Sequence, residues 1–359
     1  MDGAPARDQG LTDPDDEAEL RAWLRAEGVD PDAPSPEATG GIEAAASDRV
    51  LERGAHLSAR DVADQAGLGI EVVVKMFHDL GVAVPDLDTP QFTDLDVVFV
   101  RRMGTATGLG IIRGPDLLRV VAGALERIAE AAVAVYVQGP ERQLRRRSAS
   151  VVELMRANAR ATELALDVGN GLAPVFRHHM RQTVARQRVI QEGVTDRELA
   201  RLAIGFVDLV GSTAMQALLD PAALGEQVSR FEARAFDVTA AGGGRLVKFI
   251  GDEIMVAAID PVAGVRIVGD LVAAFTEDGT QPRGGLVFGE VLFRHGDYYG
   301  PVVNLAARLV DAAIPGEVLV DASVVRTLEG GDLPFEPAGR RMLKGFDTPV
   351  AVWSLGSPG

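Results

Sequence analysis

The texture of the chain changes near Gly193, and that change limits the folds open to it more than any other feature. Before it, from Ser47 to about Arg188, apolar residues recur at helical spacing and no convincing alternating strand is visible. Beyond it, short apolar, β-branched-rich runs at residues 202–207, 246–250, 254–258, 285–291, 317–320 and 350–354 read as strands punctuated by glycine. Residues 218–241, 262–275 and 302–313 read as helices between them. Strands mixed with helices in this way build an α/β or α+β layer fold, so an all-α unit is followed by a mixed one. A length of 359 residues agrees, since single cores rarely grow past about 250 residues. The expected segments are 1–46, acidic and partly flexible; 47–190, all-helical; 191–199, a linker; and 200–356, the mixed domain.

Within the helical half, Ser58 is a suitable N-cap for residues 59–66, Gly67 breaks that helix, and 70–80 resumes with Val73, Val74 and Phe77. Pro115 fits the first turn of a helix over 116–137. Residues 151–167 and 174–190 read as two further long helices. Ahead of them, residues 17–27 carry Leu20, Trp23 and Leu24 at helical spacing within a stretch whose first 50 residues hold 13 acidic and 4 basic side chains.

Composition narrows the chemistry. The formal charge of −16 argues against a general binder of nucleic-acid backbones, which needs clustered Lys and Arg. The absence of cysteine excludes disulfides, thiolate nucleophiles and Cys-ligated metals. No apolar run reaches the ~18–20 residues of a membrane span. The N-terminus lacks a signal peptide, so a soluble, cytoplasmic chain is expected.

Three constellations in the second half carry chemistry. FVDLVGST at 206–213 is an apolar strand ending in Asp208, followed by a turn whose Ser212 and Thr213 amides could face an anion. KFIGDEIM at 248–255 is two short strands joined at Gly251-Asp252. Each aspartate alone fits a structural part, a loop acceptor or a tight hairpin. Together they suit a pair of carboxylates holding Mg²⁺ or Mn²⁺ beside a phosphate. GDYYGPVVNLAAR at 296–308 sets Asn304 and Arg308 four apart on a helix, hence on one face, either to clamp a sugar oxygen and a phosphorus centre or as an exposed polar pair.

These three runs, with MLKGFDTPVAVW at 342–353, resemble the class III nucleotidyl cyclases in order and approximate spacing over residues 200–356. The resemblance implies an α+β catalytic domain with a ferredoxin-like βαββαβ core. It makes Asp208 and Asp252 the ligands of two Mg²⁺ or Mn²⁺ ions, and Lys248 and Asp297 the readers of the purine. Asn304 and Arg308 become the transition-state residues and Lys344 a phosphate-binding lysine. The implied reaction is attack of the ribose 3′-oxygen of ATP on its α-phosphorus, giving cyclic AMP and pyrophosphate. Lys with Asp suits adenine, whose N1 needs a donor and whose amino group needs an acceptor; a guanylyl cyclase is the nearest enzymatic alternative. The resemblance further implies a homodimer, because in this family each site draws metal ligands from one chain and purine and transition-state residues from the other. One departure is Glu290, which stands after Gly289 where some members carry a pyrophosphate-binding arginine; Arg283 or Lys344 could replace it.

The first half has a helix-turn-helix texture at 57–81, yet Asp61, Asp64, Glu71 and Asp79 outnumber Arg60 and Lys75, against the basic face DNA requires. As a whole it resembles the helical regulatory domain of some actinobacterial cyclases, through Ala22-Trp23-Leu24, Leu57-Ser58-Ala59-Arg60 and Arg177-His178-His179-Met180. That likeness implies dimerisation, restraint of the catalytic half, and a proton or lipid-like input. His178 and His179 suit a proton input, with acidification raising activity, and suit equally a solvated pair. The competing class is a catalytically silent cyclase fold acting as a nucleotide sensor or transcriptional regulator; the intact aspartates and the Asn304/Arg308 pair favour the enzyme.

Overall fold

A computed structural model describes residues 44–112, 114–191, 199–210, 220–294 and 296–356, with residues 18, 21–23, 25 and 26. Gly211, Ser212 and Thr213, the linker positions 192–198, and most of the acidic N-terminal segment, Leu20 and Leu24 included, lie outside the described residues. The chain divides into two compact units, Met1–Met180 and Arg181–Gly359.

The first unit carries α1 (Ala44–Leu51), α2 (Ala59–Ala66), α3 (Ile70–Asp79), α4 (Asp94–Gly108), α5 (Asp116–Tyr136), a π-helical turn (Val137–Glu141), α6 (Arg142–Arg146) and the start of α7 (Val151–Gln191). Ser58 caps α2 as expected: its hydroxyl accepts from the Asp61 N–H, and the Asp61 carboxylate accepts from the Ser58 N–H. Leu57, Val62, Val73, Phe77, Phe92 and Val100 form the core, with the Phe77 and Phe92 rings stacked at 4.2 Å. Asp79, nearly buried, is held by Lys75 at 3.0 Å and Arg119 at 3.3 Å, and the Lys75 bond keeps its carboxyl below the usual range.

Two expectations change here. Pro115 occupies the N-cap of α5 rather than its first turn. Residues 151–167 and 174–190 are one helix, α7, which runs through Pro174. A proline removes one helical hydrogen bond and crowds one turn, yet α7 continues across it and across Gly169 and Gly171 just before it.

The second unit contains β1 (Leu199–Leu209), α8 (Pro221–Ala241), β2 (Arg245–Ile250), β3 (Glu253–Ala258), α9 (Pro261–Glu277), β4 (Pro282–Arg294), β5 (Asp297–Tyr299), α10 (Pro301–Ala312), β6 (Val318–Asp321), α11 (Ala322–Thr327), β7 (Phe335–Arg341) and β8 (Val350–Leu355). The sheet order is β2-β3-β1-β4-β6-β8-β7, with β5 paired to β4. Inside it, β1-α8-β2-β3-α9-β4 is a βαββαβ unit in the order β4-β1-β3-β2 with antiparallel neighbours throughout. This is the ferredoxin-like core the resemblance implies. All six strands read from the sequence are present with shifted ends. β5, α11 and β7 escaped, the first two being short. β7 escaped because Pro337 and Gly339 interrupt it, which an edge strand tolerates at its register shift.

β1 reads as an unbroken apolar run because both its faces are covered. Ala203 and Val207 pack with Val265, Val268 and Leu271 of α9. Leu202, Ile204 and Phe206 pack with Ala306, Leu309 and Val310 of α10. By this alternation Asp208 belongs to the α10 face. Gly285 of β4 lies directly beneath α10: a Cβ there would stand 2.7 Å from the Ala306 carbonyl oxygen and the Val310 nitrogen. Backbone cannot yield as a side-chain tip can, so Gly285→Ala is expected to cost about 2–3 kcal/mol, measured by chemical denaturation. A parent-like midpoint would show that α10 can lift freely. Among the described residues no helix is long and apolar enough to cross a membrane.

Candidate active site

The central strands put three charged residues side by side. Asp208 on β1 is in register with Glu253 on β3 and with Arg283 on β4. Arg283 donates twice to Asp208 Oδ2, from Nη2 at 2.6 Å and from Nε at 2.9 Å. Its third nitrogen, Nη1, donates to the Asp311 carbonyl oxygen at 3.0 Å, at the end of α10. Asp252 sits beside Glu253 in the two-residue turn between β2 and β3, where Gly251 takes a φ of 66° that disfavours any side chain.

Negative charge accumulates at this sheet end. Burial first, then Asp208, Asp311 and Asp252, push the Glu253 carboxyl up to about 7, while Arg283 opposes the rise. The donors are hard oxygens, the chemistry Mg²⁺ and Mn²⁺ prefer, and the Arg283 guanidinium offsets part of the charge at Asp208. By donor chemistry alone, Asp208 and Asp252 suit a divalent ion. Among the described residues no group of three or more His, Asp or Glu side chains is placed so that it could hold a metal ion.

The raised Glu253 value has a consequence for stability. A carboxyl whose pKa rises on folding binds its proton more tightly in the folded state, so stability falls as pH climbs from the ordinary 4.5 to about 7. Glu253→Gln is expected to flatten the melting temperature of metal-free protein across that window. The gain above pH 7 is about 1 kcal/mol once solvent screening is allowed for. An unchanged slope would place the penalty elsewhere.

Lys248 of β2 and Asp297 of β5 are joined directly, Nζ to Oδ2. Asp297 Oδ1 also accepts from the Tyr298 N–H at 2.8 Å. Arg245 steadies this end of β5 by donating to the Gly296 carbonyl at 2.8 Å and the Tyr298 hydroxyl at 3.3 Å. The pair keeps solvent access, with Lys248 41% and Asp297 22% exposed, so a ligand edge can reach both. No hydrogen bond or ion pair joins either residue to Asp208.

α10 begins at Gly300 and Pro301 and carries Asn304, exposed, and Arg308, half-buried. Arg308 Nη1 bonds Asp311 Oδ2 at 2.6 Å, one turn onward. Lys344 lies exposed in the turn region between β7 and β8, without an ion-pair partner among the described residues. His178 and His179 are exposed on α7. The sequence reading offered Arg283 as a substitute for the pyrophosphate-side cation; instead all three of its nitrogens are engaged within the chain. Glu253 and Asp311 were missed. The signals were present: Glu253 shares a strand face with Met255 and Ala257, and Asp311 follows Arg308 at ion-pair spacing.

No protein-family model matches the chain. It is 37% identical over 303 residues to an uncharacterized protein of Mycobacterium tuberculosis, covering 82% of this chain and 77% of that one. An adenylate cyclase of Glutamicibacter nicotianae is 32% identical over 323 residues, with the same two coverages, 82% and 77%. A pH-sensitive adenylate cyclase of Mycobacterium tuberculosis is 28% identical over 369 residues, covering 97% of this chain and 90% of that protein. Identity of this order runs through both units rather than one motif, and the chain belongs to the class III adenylate cyclase family.

Proposed function

We propose that residues 200–356 convert ATP to 3′,5′-cyclic AMP and pyrophosphate at sites shared between two copies of the chain. Residues 47–190 dimerise and regulate that activity in this reading. The observation that carries the choice of ATP is the direct Lys248–Asp297 pair. Lysine offers a donor to adenine N1, aspartate an acceptor to the 6-amino group, and their mutual bond orients both before the base arrives. Guanine presents the opposite pattern, a donor at N1 and an acceptor at position 6.

Asp208 and Asp252 would hold Mg²⁺ or Mn²⁺, two per site. Bound there, the ions supply charge neutralisation at the triphosphate and acidify the ribose 3′-hydroxyl. Asn304 orients the ribose, Arg308 meets the charge developing on the α-phosphate, and Lys344 steadies the phosphates. The partner copy brings the complementary half of each site. Exposed apolar residues on α5 and α7, among them Val133, Val135, Leu164 and Phe176, support a second copy as a partner of the helical unit. A proton or lipid input there, with His178 and His179 as the candidate residues for the former, completes the reading.

The test incubates full-length protein with ATP or GTP and Mn²⁺ from pH 5.5 to 8 and quantifies cyclic products. Cyclic AMP with little cyclic GMP is expected, rising as pH falls. His178→Gln with His179→Gln should flatten that rise. No cyclic nucleotide from dimeric protein would favour the sensor instead.

A further inference from the structure

The departure at Glu290 leaves Arg283 with a different place from the one its spacing suggested. Its guanidinium lies between two parts of the machinery that the composite-site reading assigns to different sites. On one side Nη2 and Nε both close on Asp208 Oδ2, at 2.6 and 2.9 Å. On the other Nη1 holds the Asp311 carbonyl oxygen at 3.0 Å. That carbonyl belongs to the last turn of α10, and the side chain of the same residue holds Arg308 at 2.6 Å. Arg341 donates to the next carbonyl, Ala312, at 3.3 Å. The end of α10 is thus fixed by arginines from β4 and β7, where the helix leaves carbonyls without partners and the macrodipole favours cations.

We propose that Arg283 is a positioning residue that ties the Asp208 carboxylate to the C-terminal end of α10, setting the metal corner and Arg308 of one chain together. The inference rests on the composite-site reading above and adds a link between the two sites of a dimer: Asp208 serves one, Arg308 the other. Both donors fall on one oxygen of Asp208, which fixes the plane of the carboxylate; a carboxylate oriented in this way binds a cation without first being ordered. A lysine could make one of these contacts but not the fork together with the carbonyl bond, since its ammonium is a single point.

The experiment reads Mn²⁺ affinity by electron paramagnetic resonance of the free ion, alongside kcat and KM for ATP, in full-length protein. Arg283→Gln is expected to weaken Mn²⁺ binding by about 10–100-fold and to lower kcat more than it raises KM. Asp311→Ala releases Arg308 while leaving the carbonyl, so adding Arg283→Gln to it should change kcat less than about twofold yet still weaken Mn²⁺ binding, a non-additive pair. Should Arg283→Gln fail to fold, Arg283→Lys keeps the charge and is expected to lose about tenfold in Mn²⁺ affinity. An arginine that only supports the fold would lower the melting temperature and leave the folded protein's Mn²⁺ affinity and kcat unchanged, overturning the inference. Fully additive kcat effects with Asp311→Ala would also overturn the link to Arg308. Parent protein that binds no Mn²⁺ overturns the composite-site reading itself, whereas normal parent binding with parent-like variants overturns only the inference.

Discussion

Asp208→Asn is expected to lower cyclase turnover by about a thousandfold while the protein still folds. The amide keeps the shape of the carboxylate but loses its charge, so it can no longer hold a divalent ion at the end of β1. It also leaves the Arg283 guanidinium facing a neutral oxygen, where parent protein has bonds of 2.6 and 2.9 Å. Arg308→Ala should be comparably inactive for a different reason, because charge developing at the α-phosphate finds no guanidinium. The two defects belong to opposite halves of each site in the proposed dimer. Mixing the two variants and allowing exchange should therefore restore about a quarter of parent activity: half the dimers become mixed, each with one intact site of two. Activity measured across mixing ratios checks this. Two dead variants that stay dead when mixed, with exchange verified, would mean that each chain builds its own site.

Lys248→Met carries the second large effect, a fall of about a hundredfold in kcat/KM for ATP. Methionine keeps the length of the side chain and removes the donor for adenine N1. Asp297 then loses its ion-pair partner and, among the described residues, keeps the Tyr298 N–H bond at 2.8 Å. No gain with GTP is expected, because guanine O6 also needs a donor and none has been added. Mn²⁺ affinity should hold, since no hydrogen bond or ion pair links the Lys248–Asp297 pair to Asp208. Measuring kcat/KM for both nucleotides with metal affinity separates a base-reading residue from a structural one. Parent-like kcat/KM for ATP would show that the pair reads no base.

Much of the architecture was legible because its signals are local. Ser58 announces an N-cap, and it caps α2, with Asp61 completing a capping box. The apolar runs of β1, β3 and β4 announce strands because burial on both faces leaves few polar interruptions. Continuity across Pro174 was not legible, since a proline argues for a break and only its cost relative to the flanking helix decides otherwise. β7 stayed hidden for the same reason, its Pro337 being tolerable only at an edge.

By itself the sequence determined the succession of helices and strands, the motif order, and the residue types able to serve a nucleotide and a divalent ion. These follow from preferences that act over a few neighbouring positions. Tertiary structure decided who stands next to whom across strands. Arg283 meets Asp208 from 75 residues away, and Glu253 is pushed up to about 7 by burial and then by carboxylates on β1, α10 and the β2–β3 turn. Such neighbours depend on strand order and register, which the packing of both sheet faces fixes at once and which no local spacing encodes.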